Sequence, residues 1–211
     1  MFRFYVAILA LLAATAAHSA VIFTANLTHD QETVQGPFLT STGDPRPQSF
    51  GTAMFILNDA MTQLSFTAEI TNIDVTGSQT PDTNDNLTAA HIHSPALPGS
   101  NGSVVWGFFG APDNDNNPDN LVVTPFVSDV GGIFSSTWDL PEGNGGNTLA
   151  LQLANIFAGL SYINFHTNQF RGGEIRGQIL LVPEPTSIAL CVSALALLMF
   201  WKRPTRPDFK R

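Results

Sequence analysis

Three histidines and one glutamate occur in short segments where polar and apolar residues alternate. His91 and His93 are separated by one residue, so in a strand both imidazoles project from the same face, about 6.6–6.8 Å apart along it. His166 and Glu174 lie in two later segments with the same alternation. Imidazole and carboxylate groups are ligands that Zn²⁺ and Cu²⁺ accept in proteins. One interpretation of the pattern is therefore a transition-metal site with His91, His93, His166 and Glu174 as its ligands.

A second group of candidate ligands lies in a loop rich in Asp and Asn. Asp113, Asp115, Asn117 and Asp119 offer oxygen atoms at alternate positions, as calcium-binding loops do. The loop lacks the glycine and the distal glutamate of an EF-hand. Asp and Asn are also residues that favour ordinary turns. A calcium site and a plain turn both remain open interpretations here.

The histidine segments also support an interpretation without metal. Asn164, Glu174 and Arg176 alternate with apolar residues, so in strands they would share the polar face with the three histidines. Hydrogen bonds among these side chains would then form a structural polar network that joins neighbouring strands. A His-x-His pair alone does not decide between the network and the metal site.

Three segments in this order resemble the CHRD (chordin-type) domain. They are Ala90-His91-Ile92-His93, Tyr162-Ile163-Asn164-Phe165-His166-Thr167 and Gly172-Gly173-Glu174-Ile175-Arg176-Gly177. The resemblance spans roughly residues 21–181 and implies a module that occurs singly in bacterial exported proteins, with no defined activity. The chain departs from the family pattern in the Asp/Asn-rich loop and in a helical stretch at 148–160.

The His-x-His pair is similar to the copper ligands of copper/zinc superoxide dismutases, but the similarity stops there. The chain has five histidines and a single cysteine, so it lacks that enzyme's further metal ligands and its disulfide. It also contains no Gly-x-Ser-x-Gly elbow and no phosphate-binding glycine loop. We therefore predict a protein that is not an enzyme; the alternative is a Cu²⁺- or Zn²⁺-binding β-sandwich protein or a metalloenzyme that uses His91, His93 and His166.

The elements that must position these residues are mostly strands. Period-two alternation and Gly/Pro/Asn/Asp-rich turns predict strands at 21–28, 49–58, 63–72, 89–93, 103–109, 133–139, 162–167 and 174–181. Apolar residues at helical spacing predict one helix between Asn147 and Gly159. This composition of elements predicts an all-β fold, an antiparallel Greek-key-like β-sandwich with one short helix.

Both ends of the chain have the features of export signals. Residues 1–19 combine Arg3, an apolar run at 4–14 and small residues before Ala20, as a secretory signal peptide does. At the other end, a motif at 182–185 precedes an apolar stretch at 186–201, which predicts a transmembrane anchor, and a basic tail at 202–211, which we expect on the cytoplasmic side.

The order of these C-terminal segments resembles the PEP-CTERM sorting signal. Pro183, Glu184 and Pro185 form the motif that carries the resemblance. It implies an exosortase-type processing enzyme, transient residence in the inner membrane and delivery to the envelope or extracellular matrix of a Gram-negative bacterium that makes exopolysaccharide. A plain single-pass tail anchor is the alternative.

The charge of the domain at 20–181 limits its partners. It carries fifteen acidic residues against three arginines and no lysine, and the lone cysteine, Cys191, lies outside it. Such a negative charge repels nucleic acid, which we exclude as a partner, and favours cations. We expect an exported binding module for exopolysaccharide, envelope proteins or a metal ion, with Zn²⁺, Cu²⁺ or Ca²⁺ as the candidate ions.

Overall fold

Alternating apolar and polar residues build ten strands and one helix in the computed structural model, which describes residues 20–183. The strands are β1 (Val21–Thr28), β2 (Phe50–Leu57), β3 (Gln63–Thr71), β4 (Leu87–Ser94), β5 (Ser103–Phe109), β6 (Val122–Pro125), β7 (Gly131–Asp139), β8 (Tyr162–Thr167), β9 (Ile175–Gln178) and β10 (Leu180–Leu181). The helix α1 spans Leu149–Phe157, and short 3₁₀ turns occur at His29–Gln31 and Asn144–Gly146.

The strands form one continuous antiparallel sheet. Its order is β5-β4-β8-β9-β1-β2-β3-β7-β6, and β10 pairs with β1 beside β9. The pairing between the two halves is interrupted, because β1 pairs with β9 only at Thr28–Arg176 and with β10 only at Thr24–Leu180 and Phe23–Leu181. The sheet can therefore curl at this junction and place its two halves face to face.

Aromatic side chains fill the space between the two halves. Phe66 of β3 lies 4.7 Å from Phe108 of β5, and Phe134 of β7 lies 5.4 Å from Phe165 of β8, measured between ring centroids. Trp106 stacks on Trp138 at 5.6 Å with an interplanar angle of 7°. These contacts join strands that are far apart in the order of the sheet, so the core lies inside the curl.

The all-β prediction with one short helix is confirmed. The predicted strands all form, but as one curled sheet whose halves pack like the layers of a sandwich, and not as two separate sheets. β6 was not predicted from the sequence; it is a four-residue edge strand that ends at Pro125. The helix ends before Gly159, whose φ of +68° is the left-handed conformation that glycine favours after a helix.

The usual alternation of buried and exposed residues is absent from β8 and β9, where every residue is buried. The inner face packs in the core, while three loops cover the outer face: 29–49, 95–102 and 168–174. Polar side chains on that outer face are consequently removed from solvent. This covered outer face contains the histidines.

The segments at 1–19, Glu184, Pro185, 186–201 and 202–211 lie outside the described residues, so the signal peptide, the anchor and the tail remain predictions. Between residues 20 and 183, no helix has the length and apolar character needed to cross a membrane.

Candidate metal centre

The two histidine segments meet on neighbouring strands. β4 carries His91 and His93, β8 carries His166, and the two strands pair antiparallel with Ala89 opposite His166. One ring nitrogen from each histidine lies within 4.8 Å of the others. The three side chains are buried, with 5%, 8% and 8% of their surfaces exposed. Among residues 20–183, this is the one group of three or more His, Cys, Asp or Glu residues close enough to hold a metal ion.

Each histidine is held by a backbone carbonyl from one of the surrounding loops. His91 Nε2 donates to Ala111 O at 3.1 Å, and His93 Nδ1 donates to Gly102 O at 3.0 Å. His166 Nδ1 donates to Arg171 O at 3.0 Å. A carbonyl oxygen can only accept a hydrogen bond, so the nitrogen facing it must carry the proton. The carbonyls thus select one tautomer for each neutral ring.

The opposite nitrogens of the three rings have no proton in these tautomers. His91 Nδ1 and His166 Nε2 face each other at 3.2 Å, and His93 Nε2 is buried without a hydrogen-bond partner. Two nitrogens bound to one tetrahedral Zn²⁺ at 2.0–2.1 Å would be separated by about 3.3 Å. The observed nitrogen separation of the first pair fits ligands of a single ion.

Burial keeps these imidazoles neutral. Loss of solvent is the main cause that lowers the pKa of His91 and of His93, each to about 4, and protonation of His166 would lower both further. Burial also lowers the pKa of His166, and the Arg176 guanidinium adds to this effect. Neutral imidazole is the form that binds metal, so no proton has to be removed from these nitrogens near neutral pH.

The structure does not bring Glu174, the expected fourth ligand, to the histidines. Its fully buried carboxylate accepts two hydrogen bonds from Arg46, at 2.9 and 2.7 Å, and others from the hydroxyls of Ser49 and Thr167. Glu174 precedes the first residue of β9 and follows Gly173, whose φ is +130°, so strand alternation does not set its direction. Glu174 anchors the 29–49 loop instead of completing the metal centre.

Arg176 supports the centre from a distance. Its guanidinium pairs with Glu32 through Nε at 2.8 Å and donates to Ser100 O at 3.0 Å and to Asn101 Oδ1 at 2.8 Å. These bonds hold the loop that supplies the Gly102 carbonyl to His93. The same guanidinium lies 4.4 Å from the centre of the Tyr162 ring.

Tyr162 connects Arg176 to the histidines through stacking. Its ring lies parallel to His93, at 4.7 Å between centroids and with an interplanar angle of 4°.

Asn164 faces Arg176 across the β8–β9 pairing, and its Oδ1 atom is buried without a hydrogen-bond partner. The predicted structural polar network of Asn164, Glu174 and Arg176 is thus divided: Glu174 belongs to the Arg46 pair, and Arg176 belongs to the Glu32 pair.

Several residues of this arrangement have no signal in the sequence. Arg46 and Glu32 lie in the long loop after β1 and reach partners more than 120 positions away. The three carbonyls that hold the histidines are backbone groups and can come from any residue type. One indirect signal exists. The domain has only three arginines and no lysine, so any carboxylate that folding buries has few cationic side chains with which to pair.

The candidate calcium ligands do not converge. Asp115 is buried and accepts hydrogen bonds from the Ser136 hydroxyl and from Asn120 N, and burial raises its pKa to about 6. Asp119 accepts from Leu121 N at 3.3 Å. The carboxylates of Asp113, Asp115 and Asp119 form no joint group among the described residues.

The loop that contains these residues is instead organised by a glutamate. Glu142 Oε1 accepts from Asn116 N at 3.0 Å and from Asn117 N at 2.8 Å, while its Oε2 accepts from Trp106 Nε1 at 3.1 Å. Asn117 therefore contributes its backbone to a loop anchor. These contacts favour a structural turn over a calcium site.

Comparison with known proteins gives one family. The CHRD domain matches residues 23–179, which include all three histidines and both buried ion pairs. No curated protein and no solved structure matches the chain.

Proposed function

The chain belongs to the CHRD domain family, and we propose that its domain is a non-enzymatic binding module that holds one transition-metal ion, Zn²⁺ or Cu²⁺, between His91, His93 and His166. Imidazole nitrogens suit both ions.

One observation carries this proposal: three buried histidines each bring a ring nitrogen within 4.8 Å of the others. The carbonyl contacts leave the inner nitrogens without protons. The His91 and His166 nitrogens are 3.2 Å apart although neither is a donor, and His93 Nε2 has no partner. A buried acceptor without a donor costs about 1–3 kcal/mol. A metal ion would bond all three lone pairs at once and remove this cost.

The carbonyls of Gly102, Ala111 and Arg171 support the same function. Metal-bound histidines commonly donate their second N–H to a carbonyl or carboxylate, which fixes the ring and its tautomer. All three histidines here have such a partner at 3.0–3.1 Å. A hydrogen-bonded network without metal would need a donor among the three inner nitrogens, and the lowered pKa values of the rings disfavour one.

Elemental analysis of the purified chain tests the proposal. After incubation with Zn²⁺ or Cu²⁺ and removal of free metal, we expect about one equivalent bound per chain, and loss of that equivalent in His93→Gln. His29→Gln is the matched control, because His29 is buried but both of its ring nitrogens already have backbone partners. Less than about 0.1 equivalent in the wild type would overturn the proposal.

We also propose that this module is exported and sorted by an exosortase-type enzyme to the envelope or extracellular matrix of a Gram-negative bacterium. The two terminal segments of the sequence support this proposal. The position of the motif supports it too, because Val182 N, just after β10, donates to Ile22 O and the next residue, Pro183, is exposed. The domain would then be a soluble acidic module that meets exopolysaccharide or other envelope proteins, with membrane contact only before processing.

Intact-mass measurement of the protein from its native host tests the delivery proposal. We expect a mature chain that has lost residues up to about Ser19 and the segment after about Pro183. An envelope-bound form that still ends at Arg211 would contradict processing by such an enzyme.

A further inference from the structure

We propose that a metal ion in the three-histidine centre keeps one coordination position for solvent, and that a small inorganic anion displaces this solvent. The inference rests on the proposed metal binding and names the class of ligand that the same centre would take.

The three histidines leave one coordination position of a four-coordinate metal ion free. Zn²⁺ and Co²⁺ take four ligands in tetrahedral sites, and His91, His93 and His166 supply three. No further His, Cys, Asp or Glu among residues 20–183 joins them. The carboxylate of Glu174 is bonded to Arg46, and that of Glu32 to Arg176. These four residue types therefore supply no fourth ligand within residues 20–183, which leaves the fourth position to solvent or a small ligand.

The charge at the centre favours an anion as this ligand. Each histidine donates one N–H to a carbonyl and binds metal through the other nitrogen, so all three rings stay neutral. A divalent ion would keep its full charge of +2 in a buried place, which is unfavourable unless an opposite charge accompanies it. Arg176 and Glu32 form an ion pair with opposite charges, so they do not offset the metal charge. Hydroxide or another small anion would do so directly.

The surroundings limit the size of the ligand. The three histidines retain only 5–8% of their surface, and loop backbone at Gly102, Ala111 and Arg171 surrounds them. Burial to this degree favours water, hydroxide or an anion of two or three atoms over a side chain or a sugar ring as the ligand.

Cobalt substitution provides the test, because the visible bands of Co²⁺ report its ligands. The full-length chain, purified in mild detergent, would be loaded with one equivalent of Co²⁺ and titrated with sodium azide. We expect the bands to shift in a saturable way with one azide bound per cobalt. Sodium chloride at equal ionic strength controls for salt, and His93→Gln and His166→Gln should both lose the cobalt bands.

The outcomes separate the two proposals. Cobalt bands of a four-coordinate site that do not change with azide would overturn the open position while leaving metal binding intact. Failure to bind cobalt, Zn²⁺ or Cu²⁺ would overturn both. An azide response that persists in both histidine variants would place the metal elsewhere and would also overturn this inference.

Discussion

Replacing Glu174 with alanine should destabilise the domain strongly without removing its metal site. The Glu174 carboxylate is fully buried and accepts hydrogen bonds from Arg46, Ser49 and Thr167. Its removal leaves the Arg46 side chain, only 5% exposed, without its ion-pair partner, beside the Phe38 and Phe170 rings at 5.0 and 5.8 Å.

The burial of the Arg46–Glu174 ion pair determines how much stability Glu174→Ala should lose. Breaking a buried ion pair by removing one partner costs about 3–5 kcal/mol, because the remaining charge stays buried. A domain of this size loses about 2–4 °C in melting temperature per kcal/mol. We therefore expect Glu174→Ala to lower the melting temperature by roughly 6–20 °C.

Thermal melts by circular dichroism, with and without EDTA, measure the effect. Glu69→Ala is the matched control, because Glu69 is an exposed carboxylate on the outer face of β3 and its loss should change stability by less than about 0.5 kcal/mol. Metal content, measured well below the melting temperature, should stay at the wild-type level in Glu174→Ala. A melting temperature equal to that of wild type, or loss of metal from the folded variant, would refute the assignment of Glu174 as a loop anchor.

The remaining predictions concern the histidines and their supports. EDTA should lower the melting temperature of the metal-loaded wild type but not that of His166→Ala, since bound metal at 100 times its Kd adds about 2.7 kcal/mol to the stability of the folded state; equal EDTA effects in both proteins would exclude His166 as a ligand. In the metal-free protein, NMR titration should show that His91 and His93 stay neutral down to about pH 4. Because their pKa values are lower in the folded than in the unfolded state, their contribution to stability should decline as the pH falls from about 6.5 to about 4; protonation near pH 6.5 would contradict the burial argument. In titration calorimetry with Zn²⁺, Gly107→Ala should bind metal more weakly than the wild type, because its Cβ would overlap the Pro112 carbonyl and approach His91 Cδ2 at 3.0 Å. Gly172→Ala, whose Cβ meets no atom within 4 Å, should bind metal like the wild type.

Alternation along the chain was enough to predict most strands and the meeting of the histidines. Ile92, Ile163 and Phe165 are fully buried in the core, and this orientation places His91, His93 and His166 on the opposite face. Alternate residues of a strand lie on the same face, so the local sequence is enough to predict that these histidines share one. The metal itself stays a prediction.

The failed expectation for Glu174 has a physical reason. The residue lies just before β9 and after a glycine with positive φ, where the period of a strand no longer sets the direction of a side chain. The contacts that decide its role come from Arg46, 128 positions earlier. Such long-range pairing through a loop depends on the folded path of the chain, which hydrophobic alternation does not encode.

The anchoring carbonyls could not be predicted for a different reason. Gly102, Ala111 and Arg171 contribute backbone oxygen atoms, which every residue possesses, so their identities carry no chemical signal. Only the fold shows that three loops place one carbonyl each behind the three imidazoles.

The most direct test of the account is a crystal structure of the zinc-loaded protein with anomalous diffraction measured at the zinc edge. We predict a single strong peak bonded to His91 Nδ1, His93 Nε2 and His166 Nε2 at about 2.0–2.1 Å, with solvent or an anion as the fourth ligand. An empty site between the three rings, or zinc bound by Glu174, would contradict the account.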